Sequence, residues 1–284
     1  MSVLPNSPLI DRLIDLALEE DLGSGDVTTQ ALIPPELMGE AHLRAKQDLI
    51  VAGLPVAARV FAKVNASLVF EPQAEEGQEV VTGTVLARVS GPVAGILSGE
   101  RTALNFLQRL SGVATFARQM VSLITGSTAA LVDTRKTTPG WRALEKYAVR
   151  LGGARNHRAG LFDGVLIKNN HITAAGSIAK AISQAREAAH HLLKIEVEVT
   201  DLAGLEEALA AGADAILLDN MDEAAMAQAV KLAAGRVLLE ASGEINAARL
   251  PKVAATGVNL ISMGALTHSA PAADIHLRLL KTWR

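Results

Sequence analysis

The chain contains no cysteine. That absence excludes disulfides, thiolate catalysis and cysteine-ligated metals. Aromatic residues make up only 3% of its 284 positions, so the core must be built from Ala, Leu, Val and Ile, which suits helices packed on a parallel sheet. No apolar run approaches the roughly 20 residues needed to span a bilayer. The amino-terminal stretch carries Asp11, Asp15, Glu19, Glu20 and Asp21, where a secretory signal would be basic. A soluble cytoplasmic protein with no membrane or nucleic-acid partner is expected. The sequence also lacks a nucleophile elbow, a Walker loop and a dinucleotide glycine fingerprint.

What is present is an ordinary globular balance, 49% hydrophobic and 20% charged, with a net charge of -3. Positive charge is nevertheless concentrated between Arg135 and His171, which hold eight Lys or Arg against only Glu145 and Asp163. Six segments read as buried strands: Ala129 to Asp133, Gly164 to Lys168, Ile195 to Val199, Ala215 to Asp219, Val237 to Ala241 and Asn259 to Met263. Strand and helix alternate, with Asp201 and Asp222 placed as helix N-caps and Gly212, Gly235 and Gly257 as stops. The expected fold class is α/β, an incomplete parallel α/β barrel preceded by a smaller α+β sandwich domain. The boundaries are expected at 1–110 for the first domain, joined by the carboxy-terminal tail 270–284, and at 111–269 for the barrel.

In the first domain, Leu9, Ile10, Leu13, Ile14 and Ala17 predict an amphipathic helix ending near Gly23 and Gly25. Short strands follow from Glu40, with a helix near Pro55 to Lys63. Glu76 to Leu97, with Gly77, Gly83, Gly91 and Gly95, reads as carrier-like hairpins without the tip lysine a carrier needs, and the next helix is expected from Glu100 to about Leu123.

In a parallel barrel every strand delivers its C-terminal end to one rim. Arg135, Lys136, His157, Arg158 and Lys168 lie on such ends or loops, and so many cations repel one another unless an anion neutralises them. A polyanion site is expected there, with arginine offering two-pronged recognition of carboxylate or phosphate. Thr138 and Pro139 are expected to cap and open the following helix. Its Arg142, Lys146 and Arg150 are read as solvated, with Glu145 as a local partner.

Glu198 and Asp219 end successive strands and could hold Mg2+ together with substrate phosphates. Glu196 shares the strand of Glu198, and only one of the two is expected to face the mouth. Ser242 with Gly243, and Gly264 with Ala265, follow the last two strands, where barrels commonly bind phosphate through backbone N–H groups. His171 and His268 lack companions at ligand spacing and are read as hydrogen-bonded supports.

The strings DTRKTTPG, GGARNHR, LIKNNH, EVEV, LLDN, EASG and GALTHS, with EDLGSGDVTT and GERTALNFLQRLSGVAT in the amino-terminal half, together resemble the quinolinate phosphoribosyltransferase family. The resemblance implies transfer of a phosphoribosyl group from phosphoribosyl pyrophosphate to quinolinate, with loss of pyrophosphate and CO2, giving nicotinate mononucleotide. It further implies that Arg101, Arg135, His157, Arg158 and Lys168 bind the dicarboxylate. Lys136, Glu198 and Asp219 would be catalytic and would hold the ribosyl donor with Mg2+. Ser242, Gly243, Gly264 and Ala265 would take its 5'-phosphate. A homodimer with Arg101 supplied across the interface is also implied. The acidic pair followed by TGGT, common in other phosphoribosyltransferases, is missing. Asn169 and Glu244 depart from the family's usual wording.

Overall fold

The computed structural model describes residues 4–284, which form two compact units. The first comprises the chain up to Arg118, Thr137–Gly153 and Thr267–Arg284; the second comprises Gln119–Lys136 and Ala154–Leu266. In chain order the elements begin with α1 (Pro8–Leu22), α2 (Val27–Leu32), β1 (Met38–Ala45), β2 (Leu49–Ile50) and α3 (Leu54–Val64). There follow β3 (Val69–Pro72), β4 (Glu79–Val80), β5 (Val85–Pro92), α4 (Val93–Ser122), β6 (Ala130–Val132) and α5 (Arg142–Leu151). The chain continues through β7 (Val165–Ile167), α6 (Asn169–Ala175), α7 (Ile178–Ala188), β8 (Ile195–Val199), α8 (Leu202–Ala210) and β9 (Ala215–Asp219). Last come α9 (Glu223–Ala233), β10 (Leu238–Ser242), α10 (Leu250–Ala254), β11 (Leu260–Ser262), α11 (Ala265–His268) and β12 (Ile275–Trp283).

The first unit is built on an antiparallel sheet ordered β12-β1-β5-β3, in which the carboxy-terminal strand pairs with β1. Helix α1 turns Ile10, Ile14 and Leu18 inward, is capped by the Ser7 side chain and stops at Gly23, as its spacing predicted. Helix α4 differs from expectation by starting at Val93 rather than Glu100. Gly95, which read as part of a hairpin, and Gly99 are packing residues of this helix. A Cβ added at Gly95 would lie 3.1 Å from Asn65 Cβ, and one at Gly99 would lie 3.0 Å from the Phe61 ring. Glycine there serves the close approach of α4 to α3 rather than a turn.

Helix α5 also departs from its reading. It starts at Arg142 with Trp141 as an uncapped first residue, so Thr138 and Pro139 lie in the preceding turn. Glu145 is fully buried rather than a surface partner of its neighbours. It pairs with Arg109 at 2.7 Å and accepts from the Thr138 N–H at 3.0 Å and the Thr138 hydroxyl at 2.9 Å. Arg109 also donates to the carbonyls of Thr267 and Ala270. Lys146 is buried, contrary to the solvated reading, while Arg142 donates to the Thr137 hydroxyl at 2.9 Å.

The second unit carries the expected α/β barrel part, a six-stranded parallel sheet ordered β6-β11-β10-β9-β8-β7. The first strand sits beside the last, which is the wrap of a barrel. Closure is incomplete, since β6 meets only a single parallel bridge at Arg155 on its other side. The helices between strands are capped as expected: Asp201 accepts from Gly204 N–H at 2.8 Å and Asp222 from Ala225 N–H at 2.7 Å.

Strand alternation decides what each face can do. Ile195, Val197, Val199, Ile216, Leu218, Leu239, Ala241 and Ile261 are buried on one face. The intervening positions include Glu196, Glu198, Asp219, Glu240, Ser242 and Ser262, so the other face is polar. No helix among the described residues is long and apolar enough to cross a membrane.

Replacing Glu145 with Ala should lower the unfolding free energy by about 3 kcal/mol, because it strands a partly buried guanidinium. Urea denaturation of the two proteins measures this, and a loss below about 1 kcal/mol would show the pair to be no more than a surface contact.

Candidate functional site

The polar groups gather at the C-terminal ends of the parallel strands. From β6 the chain passes Asp133, buried and fixed, whose carboxylate accepts from the Asn156 side chain at 2.7 Å and the His157 backbone N–H at 2.8 Å. These two bonds tie the loop carrying Arg135 and Lys136 to the segment carrying His157 and Arg158. Arg158 donates to the Gly164 carbonyl at 2.9 Å, yet its Nε is buried with no acceptor. Burial, and then the charge of Arg135, push the Arg158 guanidinium below its ordinary pKa. An electropositive pair partly removed from water is the result.

Lys168 follows β7 and opens α6. Its Nζ lies 3.5 Å from Glu198 Oε2. The Lys168 backbone N–H donates to His171 Nδ1 at 2.9 Å, which gives His171 the supporting role expected of it. His268 Nδ1 meets the Ser269 hydroxyl at 2.6 Å, a local contact only. Asn169 is the exposed first residue of α6.

Glu196 and Glu198 share a face, and the reading that only one could point inward is wrong. Side chains alternate along a strand with period two, so residues two apart point the same way. Glu198 meets Lys168, and Glu196 Oε2 lies 3.1 Å from His157 Nε2. His157 Nδ1 accepts from the Arg158 backbone N–H at 2.7 Å, so the neutral ring carries its proton on Nε2 and donates it to Glu196. Both nitrogens of His157 are therefore engaged within the protein.

Asp219 ends β9 level with Ser242 of β10. Its Oδ1 accepts from the Asn220 side chain at 3.1 Å. Beyond Ser242, Gly243 has φ of +98° and its missing side chain is a spatial requirement: a Cβ there would lie 2.1 Å from Asn220 Oδ1 and 2.9 Å from its backbone nitrogen. Glu244 follows, exposed and also at positive φ. Gly264 and Ala265 come after β11 at the start of α11. Arg249 binds these turns together, donating to the Gly243 carbonyl at 2.8 Å, the Met221 carbonyl at 2.7 Å and Glu223 at 2.8 Å. A pocket of about 550 Å³ lies between them, lined by Asn220, Met221, Asp222, Glu244, Asn246 and Arg249. Arg101 is an exposed residue of α4 in the other unit.

Residues 26–111 match the model of the quinolinate phosphoribosyl transferase N-terminal domain, and residues 113–278 match that of its C-terminal domain. The chain belongs to this family. It is 44% identical over 268 residues to a probable carboxylating nicotinate-nucleotide pyrophosphorylase of Bacillus subtilis, an alignment covering 94% of this chain and 92% of that protein. A Synechocystis protein of the same description is 48% identical over 221 residues, covering 78% and 75% of the two chains. The solved nicotinate-nucleotide pyrophosphorylase of Francisella tularensis superposes with a TM-score of 0.94 at 39% identity, covering 98% of each chain.

For a quinolinate phosphoribosyltransferase the carboxylates Glu198 and Asp219 are hard oxygen donors of the kind Mg2+ takes. Two such ligands fall short of an octahedral set, so they fit the ion only when substrate phosphates and water complete it.

Sequence reasoning missed Asp133, Arg249 and above all Glu240. Glu240 is 1% exposed on the polar face of β10, with Oε2 3.6 Å from His157 Nε2. Burial and the neighbouring Glu196 charge raise its pKa to about 7. The signal was available, since Glu240 is the fourth residue of the predicted strand VLLEA, as Glu198 is of IEVEV. A raised folded-state pKa stabilises the fold fully below the ordinary value of 4.5, and that stabilisation is lost as pH rises through about 7. Wild-type melting temperature should therefore fall over this window relative to Glu240→Gln. A difference between the two that does not change with pH would contradict the raised pKa.

Proposed function

We propose that the chain transfers the phosphoribosyl group of phosphoribosyl pyrophosphate to the ring nitrogen of quinolinate, releasing pyrophosphate and CO2 and forming nicotinate mononucleotide. Family membership supplies the reaction. The observation that carries its location is the Arg135 and Arg158 pair, whose mutual repulsion and partial burial a bound dianion would relieve.

Arg135, Arg158 and Lys168 hold the two carboxylates, with Arg101 supplied by the second protomer of a homodimer. His157 joins them only by exchanging Glu196 for a substrate oxygen, since its nitrogens are otherwise engaged. Lys136 neutralises the departing pyrophosphate. Glu198 and Asp219 face the ribose as positive charge grows on it, and their fixed negative charge lowers that barrier. The backbone of Gly243, Gly264 and Ala265, with the Ser242 hydroxyl, receives the 5'-phosphate. Mg2+ held by Glu198, Asp219 and the phosphates would supply charge neutralisation at the leaving group. Most of the rate comes from alignment of the two reactants, and no covalent enzyme intermediate is required. The protein acts in the cytoplasm.

Labelled quinolinate should release CO2 only when the ribosyl donor and Mg2+ are both present; release without the donor would overturn the proposal. Asp219→Asn should retain quinolinate binding and lose about a hundredfold in turnover. Lys168→Ala should weaken quinolinate binding about tenfold, and unchanged affinity in calorimetry would remove Lys168 from the site. Borohydride should trap no adduct with substrate, whereas a Schiff-base enzyme using Lys168 would be inactivated.

A further inference from the structure

Glu240 has no part in the steps above, yet it is the most completely buried carboxyl on the polar face of the sheet. Neither of its oxygens meets a donor in good hydrogen-bond geometry, with only the Ser262 hydroxyl and, at 3.6 Å, His157 Nε2 facing it. A buried carboxylate in that condition is strongly disfavoured, whereas a carboxylic acid needs only one acceptor for its O–H. Glu196 is the acceptor facing it: one ligand atom from each of His157, Glu196 and Glu240 lies within 4.8 Å of the others. The same trio has the residue types of a cation site, but His157 Nε2 carries the ring proton and offers no lone pair to a metal.

We propose that Glu240 is a positioning residue, protonated in the working enzyme, whose O–H holds the Glu196 carboxylate against His157 and thereby fixes the segment that presents Arg158 to the substrate. The chain of donors runs from the Arg158 backbone N–H to His157 Nδ1, from His157 Nε2–H to Glu196, and from Glu240 O–H to the same carboxylate. Glu196 then accepts from two donors, and its carboxylate faces Arg158. The groups that face Glu240 are Glu196 from β8, His157 from the segment beyond the Arg155 bridge and Ser262 from β11, while β9 places Leu217 level with it. The next carboxylate along β8, Glu198, is engaged by Lys168. Losing the Glu240 proton would put a second negative charge beside Glu196, break the hold on His157 and oppose a dianionic substrate. This inference rests on the assignment of Arg158 to quinolinate binding.

The test compares wild type, Glu240→Gln and Glu240→Ala. Glutamine keeps a donor but cannot ionise. The quinolinate KM of wild type should rise about tenfold from about pH 6 to about pH 9, with kcat changing far less, and Glu240→Gln should hold its low KM throughout. Glu240→Ala should show a KM raised about tenfold at every pH. An alkaline rise that persists unchanged in Glu240→Gln, or an unaltered KM in Glu240→Ala, would overturn the proposal. Infrared difference spectra provide a readout that needs no turnover. Wild type near neutral pH should show a protonated carboxyl band that Glu240→Gln lacks, and absence of that band in wild type would equally overturn it. If wild type fails to use quinolinate at all, the functional reading falls while the infrared band still decides the state of Glu240.

Discussion

The placement of charge on one face of a parallel sheet is the constraint from which the site follows. Glu196, Glu198 and Glu240 stand on strands whose opposite face is apolar and buried, so their carboxyl groups have only the polar face to occupy. Buried charge is tolerated only when matched. Each of the three has a different answer: a lysine for Glu198, an imidazole N–H for Glu196, and a retained proton for Glu240. The cations are less completely answered, since Arg158 keeps a buried Nε without an acceptor. A dicarboxylate would complete that imbalance, and on the proposed function this joins stability to function, since the cations are costly to hold together without an anion.

The scaffold around the charges is rigid where the chemistry needs it. Asp133 fixes the His157 segment, His171 fixes the backbone of Lys168, and Arg249 ties together the turns after β9 and β10. None of the three need touch substrate. Their bonds set the aim of the His157 segment, Lys168 and the strand-end turns, and small displacements of groups that align reactants cost large factors in rate. The requirement for glycine at position 243 belongs to the same design, because any side chain there would collide with Asn220.

Much of this was legible in the sequence. The six strands were readable because each is a short apolar run that ends in a polar or glycine-bearing loop, and the caps at Asp201 and Asp222 follow from local side-chain chemistry. The placement of Arg135, Lys136, Arg158 and Lys168 at strand ends or the loops beyond them was also readable. The errors have physical sources. Gly95 resembled a turn residue because sequence does not show that Asn65 presses against that helix. Glu145 resembled a surface acid because its partner Arg109 is distant in the chain. Glu196 was set against Glu198 by a misapplied period, and Glu240 was passed over although the alternation of its strand marks it as inward.

The central claim is that Arg135, Arg158 and Lys168 form one anion-binding surface on the polar face of the sheet. A crystal structure of the protein with quinolinate tests it most directly. The account predicts both carboxylates within hydrogen-bond distance of these three side chains, with the Arg158 Nε bonded to a carboxylate oxygen. Quinolinate bound elsewhere, with the Arg158 Nε still lacking an acceptor, would contradict it.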